Sequence, residues 1–382
     1  MPLTRRQAAA GLAASVVPLT VQATAGANAS AALFPGEEMI TAAALPCLIR
    51  FEKSARDQPL VVFVPGTSFL ARIAYGFPAG RPTDFLSHWL VAAGFPFLGV
   101  SYPLDNPVYP ETYPDFSITD WGRQVAEAAR HVIDANGLGN RIIAVGWSMG
   151  GKIVEKLAVA VHAAGLDLRL FVALDALPPG PNLFPGNAEQ FVLARDGLVD
   201  QTTSLLPWFV AMVAEQSRLN GHAIMSAADL KALFTGNPPL DLQGEAARFG
   251  KGRIVEDVAA AMEDGGVTDY AAYPPLALIV SNGLADYPNA LLCRSNWALF
   301  VGQQLYRRHI YPNRSRIGQL SPQSWASLQN IFAGALARLT ITVDGTHFLF
   351  VGEQGARATA AAIAELARRS DEINDQIPAV LA

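Results

Sequence analysis

The chain has 382 residues, of which 51% are hydrophobic and 16% charged. It is therefore long enough to bury a sizeable core and too apolar to be disordered, although its length allows either one large α/β domain or two smaller ones. The formal net charge of -5 and the lack of any run rich in lysine and arginine exclude a nucleic-acid partner.

The first 31 residues have the composition of an export signal. Arg5 and Arg6 precede an uncharged stretch at 8–21, and small residues at 23–29 offer A-x-A cleavage sites. The paired arginines resemble a twin-arginine signal, although the phenylalanine, leucine and lysine that often follow them are absent. The uncharged stretch is too short to span a bilayer. We therefore expect a periplasmic or secreted protein with no stable membrane anchor.

Two cysteines occur in the chain, Cys47 and Cys293. Export would place them in an oxidising compartment, where a single intramolecular disulfide is available to them. Free buried thiols are an equally good account, because the sequence does not give the distance between the two residues.

Beyond the signal, short apolar runs alternate with helical patterns. This alternation predicts an α/β fold with a mostly parallel sheet that is covered by helices on both faces. The predicted strands are 59–64, 95–100, 142–145, 170–174, 275–280 and 339–343. The predicted helices are 84–93, 118–135, 151–164 and 355–369.

Two segments interrupt the alternation. Residues 178–273 begin with a proline-rich turn and contain amphipathic pieces, which indicates a helical cap. This cap would be inserted between a first part of the core at 32–177 and a second part at 274–382. A further insertion, at about 287–335, interrupts the second part and carries several aromatic residues.

A Gly-Trp-Ser-Met-Gly pentapeptide at 146–150 lies between the third predicted strand and the third predicted helix. This is the arrangement of a nucleophile elbow, in which a serine occupies a strained strand-to-helix turn. Glycine is needed two residues before and after the serine, since a side chain at either position would collide with the backbone. Ser148 is therefore the predicted catalytic nucleophile.

Serine needs a base to take its proton and a third group to orient that base. Of the six histidines, His347 directly follows the last predicted strand, at the sheet edge where parallel sheets bind ligands, and is the predicted base. Asp286 follows the fifth predicted strand through a short loop and is the preferred acid. Asp175, at the end of the fourth strand, competes for this role. Asp344 is a third candidate, although local turn formation explains it better.

With its nucleophile, acid and base in the order Ser148, Asp286, His347, the chain resembles the α/β-hydrolase superfamily, and in particular its serine esterases and lipases. The resemblance covers roughly residues 60–369 and implies a doubly wound sheet with a helical lid. Two features depart from it. Asp286 and His347 are 61 residues apart, which is longer than usual. The turn at 65–68 reads Pro-Gly-Thr-Ser, where many lipases have His-Gly.

The turn at 65–68 is also the expected second half of an oxyanion hole, which needs two backbone N–H donors. Met149 and Thr67 are the predicted donors, and Gly66 would allow the carbonyl to approach. Most aromatic side chains near these motifs are expected to be core, since large apolar residues are buried by default. The candidates for lining a substrate pocket are Trp147, Phe69, Ser68, Trp208 and Phe348.

No H-E-x-x-H, C-x-x-C or P-loop motif occurs, so we expect neither a metal nor a cofactor. The predicted function is that of an exported serine hydrolase, which cleaves a small, partly apolar carboxylic ester through an acyl-enzyme. An amidase or a carbon-carbon (β-diketone) hydrolase would use the same triad, and a non-catalytic binding protein could keep the same fold. The serine at the elbow excludes the acid nucleophile that some members of the superfamily use.

Overall fold

A computed structural model describes residues 33–54, 58–181 and 191–382. The predicted export signal at 1–31 lies outside these residues, as does the part of the predicted cap at 182–190. The following account concerns the described residues.

The strands of the described residues are β1 Glu37–Ala42, β2 Leu45–Glu52, β3 Leu60–Val64, β4 Phe97–Ser101, β5 Arg141–Trp147, β6 Asp167–Leu174, β7 Leu193–Arg195, β8 Leu198–Val199, β9 Ala247–Gly250, β10 Arg253–Glu256, β11 Leu276–Val280 and β12 Thr340–Thr342. Eight of them form the sheet at the centre of the molecule, with the strand order β1-β2-β4-β3-β5-β6-β11-β12. Within this sheet, the neighbouring strands β4, β3, β5, β6, β11 and β12 pair in parallel, while the pairs β1–β2 and β2–β4 are antiparallel. The prediction of a mostly parallel sheet is confirmed.

The six predicted strands correspond to β3, β4, β5, β6, β11 and β12. They were recognisable because parallel strands are buried on both faces and therefore read as continuous apolar runs, and every residue of β3, β4 and β11 is buried. The hairpin of β1 and β2 was not predicted. Its two turn residues, Ala43 and Ala44, adopt left-handed conformations with φ of 51° and 62°. Asparagine and glycine usually mark such turns, so alanine left no hairpin signal.

The helices of the described residues are α1 Arg72–Tyr75, α2 Leu86–Ala92, α3 Ile118–Asn136, α4 Val154–Ala163, α5 Gln201–Ser204, α6 Leu206–Asn220, α7 Ala227–Asp229, α8 Val258–Asp264, α9 Tyr287–Leu305, α10 Arg314–Ile317, α11 Pro322–Arg338 and α12 Glu353–Leu381. Helices flank the sheet, with α3 packed against α4 and α12 against α2. The four predicted helices correspond to α2, α3, α4 and α12, of which α12 is much longer than predicted. Over the described ranges, none of the helices is both long and apolar enough to cross a bilayer.

The segment predicted as a helical cap contains more than helices. Its described parts, 178–181 and 191–273, hold α5 to α8 together with two small hairpins, β7–β8 and β9–β10. The second insertion forms the long helices α9 and α11 joined through α10, and α9 packs against β11. The boundaries of the cap and of the insertion stay predictions.

Cys47 and Cys293 are both free and buried. The Cys47 thiol lies in β2, whereas the Cys293 thiol donates to the Ala176 carbonyl just beyond β6, at 3.3 Å. Four strand spacings separate β2 from β6, which amounts to roughly 19 Å of sheet. A disulfide needs Cα atoms within about 7 Å of each other, so this topology excludes a bond between the two residues.

Candidate active site

Ser148 directly follows β5 and has a φ of 53°, a left-handed conformation that costs a non-glycine residue energy. A 3-10 turn from Ser148 to Ile153 then leads into α4. A Cβ atom at Gly146 would lie 2.6 Å from the Gly150 carbonyl oxygen, and one at Gly150 would lie 2.8 Å from the Val64 carbonyl oxygen. The two glycines therefore occupy positions where the turn leaves no room for a side chain.

The turn at 65–68 lies directly against Ser148. A Cβ atom at Gly66 would lie 2.7 Å from Ser148 Cβ and 3.3 Å from Ser148 Oγ. The buried Tyr102 hydroxyl donates a hydrogen bond to the Gly66 carbonyl at 3.1 Å and so holds the turn in place. Ser68 continues it in a left-handed conformation, with a φ of 66°. The close approach of this backbone to Ser148 depends on glycine at position 66.

The two predicted oxyanion donors, Thr67 and Met149, directly follow the two residues of this contact in the chain. The N–H of Met149 belongs to the first turn of a helical segment, where backbone N–H groups have no intrahelical acceptor. The half-buried Thr67 follows Gly66 in the turn. Together they place backbone amides of two separate segments beside Ser148. Their role as an oxyanion hole stays a prediction.

His347 lies in the loop after β12, with 3% of its surface exposed. Its Nδ1 atom is 3.0 Å from Oδ2 of Asp286 and 3.3 Å from Oδ2 of Asp175. The indole N–H of Trp147 donates to the His347 carbonyl oxygen at 2.9 Å. The imidazole packs between Trp147 and Trp208, with ring centroids 5.2 and 5.4 Å away. The ring is therefore held by two carboxylates and two indoles.

Burial and the two carboxylates act in opposite directions on the pKa of this imidazole. Burial works to lower the pKa of His347, but Asp286 and Asp175 outweigh burial and raise that pKa to about 9. Burial would raise the pKa of Asp286, but the charge of His347 and hydrogen bonds from His347, Asp175 and Asn289 bring it below its usual value. The pKa of Asp175 is raised instead, because its burial, together with the charge of Asp286, outweighs the hydrogen bond and the charge of His347, which lower it.

In the described part of the chain, the hydrogen-bond contacts of His347 involve its backbone carbonyl and its Nδ1 atom, which meets Asp286, Asp175 and, at 3.1 Å, the amide nitrogen of Asn289. None joins Nε2 to Ser148 Oγ. The two residues are instead connected through Trp147, which precedes Ser148 in the chain and contacts His347 with its ring. Catalytic hydrogen bonds are often long in unliganded enzymes and tighten when the substrate binds, so this geometry is compatible with a serine–histidine pair.

Four of the five predicted pocket residues are buried rather than exposed to a cavity. Trp147, Phe69 and Phe348 pack against one another with centroids 5.0 to 5.5 Å apart, and Phe69 also contacts Phe209 of α6. Ser68 is fully buried, whereas Trp208 is half-buried beside His347. Trp208 is therefore the best placed of the five to meet a substrate. The substrate-binding roles of all five stay predictions.

Two glutamines of the cap segment reach the turn at 65–68. The Thr67 and Ser68 hydroxyls both donate to Oε1 of Gln201, the latter at 2.7 Å. Gln201 Nε2 donates to Gln243 Oε1 at 3.1 Å, and Gln243 Nε2 donates to Thr67 Oγ1 at 3.1 Å. No motif in the sequence marked these glutamines, because their partners Thr67 and Ser68 are more than 130 residues away in the chain.

Two further residues support the site. Asn289 donates to both carboxylate oxygens of Asp286, at 3.0 and 3.1 Å. Side chains three residues apart on a helix are neighbours, so the position of Asn289 at the start of α9 could have predicted its contact with Asp286. Lys152, in the turn after Ser148, is buried and forms a 2.8 Å ion pair with Glu245. Its ammonium group also donates to the carbonyl of Gly180, which joins the elbow to the cap segment.

Comparison with known proteins finds similarity in three dimensions only. No family model matches the chain, and no curated protein matches it in sequence. A thermophilic esterase from Thermogutta terrifontis, solved with malate bound, superposes with a TM-score of 0.50 at 13% identity, covering 87% of this chain and 98% of the esterase. An epoxide hydrolase from Vigna radiata superposes with a TM-score of 0.45 at 13% identity, covering 87% and 98% of the two chains. A bromoperoxidase from Bacillus anthracis gives 0.45 at 14% identity, covering 86% and 97%.

Similarity at this level of identity concerns the fold and leaves substrate and chemistry open. The strand order, the parallel sheet with its antiparallel edge and the strained serine between β5 and α4 agree with that similarity. This chain has the α/β-hydrolase fold.

Proposed function

We propose that the protein is a serine hydrolase that cleaves carboxylic esters through an acyl-enzyme. Ser148 attacks the ester carbonyl, and His347 takes the serine proton and returns it to the leaving alcohol. Asp286 fixes the imidazole tautomer and stabilises the imidazolium. Water then attacks the acyl-enzyme by the same route. The observation that carries this proposal is the left-handed Ser148, with the oxyanion turn against its side chain and an indole linking it to a carboxylate-bound histidine.

The surroundings of the site favour a partly apolar substrate. Trp208 offers an aromatic face beside His347, and Leu284, Tyr287 and Leu291 are more than half exposed around the start of α9, next to Asp286. Apolar surface of this kind is a usual lining of small-molecule sites. We therefore propose esters with an apolar acyl or alcohol part. Amides and β-diketones are the competing substrates, because they would form the same acyl intermediate.

A substrate panel tests this proposal. The purified protein is assayed with p-nitrophenyl esters of graded acyl length, the matching anilides and a β-diketone. We expect turnover of the esters, and mass spectrometry should locate a fluorophosphonate adduct on Ser148. Faster cleavage of the anilides or of the diketone would replace the ester assignment. The absence of both turnover and adduct would reject the serine-hydrolase proposal altogether.

The pH dependence of the reaction is a separate prediction. His347 accepts the serine proton only in its neutral form, and its raised pKa keeps it protonated to a higher pH. The value of kcat/KM should therefore rise with pH, with a midpoint on the alkaline side of the ordinary histidine value of 6.5 and near 9.

The rates for this profile are measured between pH 5 and 10. They are corrected for spontaneous ester hydrolysis, and circular dichroism confirms folding at each pH. A midpoint at or below 6.5 would show that the carboxylates do not control His347.

A further inference from the structure

Two carboxylates face the same imidazole nitrogen. Asp175 ends β6 and Asp286 follows β11, and these strands are neighbours in the sheet. One oxygen of each aspartate and a ring nitrogen of His347 all lie within 4.8 Å of one another, and all three residues are buried. A triad needs a single carboxylate at this place, so the second one is in excess of the proposed mechanism.

A charge on both carboxylates at once is unfavourable in this pocket. Like charges this close in a desolvated site disfavour the doubly ionised state, as in carboxylate dyads that hold one proton between them. Among the described residues, neither aspartate forms an ion pair with a lysine or an arginine. The neighbouring Cys293 thiol stays neutral, because burial raises its pKa well above the usual value, so it adds no charge of its own to the site. Among the described residues, His347 is therefore the one group that can place a positive charge beside Asp175 and Asp286.

The surroundings assign the charge to Asp286. Both of its oxygens accept hydrogen bonds from the Asn289 amide. It also stands at the N-terminus of the 19-residue helix α9, where the helix dipole favours an anion. Asp175 is fully buried and accepts one backbone hydrogen bond, from Ser281 at 3.1 Å. Asp175 therefore receives fewer hydrogen bonds from neighbouring amides than Asp286 does, and this difference places the shared proton on Asp175.

We infer that Asp175 and Asp286 share one proton beside His347, and that Asp175 is a second positioning carboxylate that takes over the imidazole when Asp286 is removed. The inference rests on the proposed serine-hydrolase function for its catalytic consequence. In the normal enzyme, Asp286 accepts the Nδ1–H hydrogen bond. Without the charge of Asp286, Asp175 releases its proton to solvent and its Oδ2 atom, already 3.3 Å from Nδ1, accepts that hydrogen bond instead.

Asparagine substitutions test this exchange with little change in shape. Asp175→Asn suits the φ of 43° at this position, because asparagine tolerates left-handed backbone. In Asp286→Asn, the side-chain oxygen can still accept from Asn289. We expect each single variant to lose about tenfold in kcat or less, and the double variant to lose about 10⁴-fold, since an uncharged triad has that effect in the known system. If Asp286→Asn alone lost as much as the double variant, Asp175 would not be a second positioning group.

Titration of the His347 ring by NMR gives a readout that is independent of catalysis. The pKa of His347 should stay above 6.5 in both single variants and fall below 6.5 in the double variant, because burial of the ring then meets no opposing carboxylate. A fall below 6.5 in Asp286→Asn alone would overturn the inference. This titration still tests the carboxylate pair if no substrate is turned over, so its failure and that of the proposed function are distinguishable.

Asp344→Asn is the matched control. Asp344 lies three residues before His347, but it is exposed and its side chain accepts from Asn282 instead. This variant should leave both kcat and the His347 titration unchanged. A comparable effect of Asp344→Asn would mean that the general charge near His347, rather than contact with Nδ1, is responsible, and this would also contradict the inference.

Discussion

Replacing Ser148 by alanine is expected to lower kcat for ester hydrolysis by roughly four to six orders of magnitude. The reason is that the acyl-enzyme cannot form without the hydroxyl, while the remaining site can only bind the ester. The measurement is the rate of the best ester of the substrate panel. Labelling by a fluorophosphonate should disappear in the same variant.

A matched control for this variant is Ser295→Ala, which changes an exposed serine of helix α9. The control should keep both full activity and labelling. Retention of ester turnover by Ser148→Ala, with a normal melting temperature, would refute the proposed mechanism.

The variant Gly66→Ala, which adds a single methyl group, is expected to reduce kcat by about 10²- to 10³-fold. The new Cβ atom would lie 2.7 Å from Ser148 Cβ, so the turn or the nucleophile must move. Loss of one oxyanion donor has an effect of this size, and a displacement of 1 Å can cost a hundredfold. We expect KM to change little, because the substrate contacts of the ground state are retained. The steady-state kinetics of Gly66→Ala separate the two parameters.

Gly302→Ala provides the comparison for Gly66→Ala. Gly302 lies within α9, and a Cβ atom there would meet nothing within 4 Å. Alanine favours a helix over glycine by about 1 kcal/mol, so this variant should be as active as the original and equally or more stable. Full activity of Gly66→Ala would mean that the turn at 65–68 takes no part in the reaction.

Local sequence determined the elbow and the strands of the parallel sheet. A serine between two glycines, behind an apolar run and ahead of a helical pattern, contains within a few residues the steric conditions that the turn requires. The buried parallel strands were recognisable for a similar reason, since burial on both faces demands continuous apolar residues. The positions of Asp286 and His347 after strands predicted that they lie at one sheet edge, and the structure does bring them into contact.

Tertiary structure decided what depends on segments that are distant in the chain. Two alanines in a left-handed turn form the β1–β2 hairpin, because pairing with β4 compensates for a poor local turn. Gln201 and Gln243 reach Thr67 only after the cap segment has folded onto the sheet.

The choice between Asp175 and Asp286 was open in the sequence for the same reason, because each follows a strand at the correct edge. Pairing of β6 with β11 makes these strand ends neighbours, so the fold brings both carboxylates to one histidine. Sequence could identify each group by its local setting. The proximity of the two acids, and hence their electrostatic coupling, arises only from the order of the strands in the sheet.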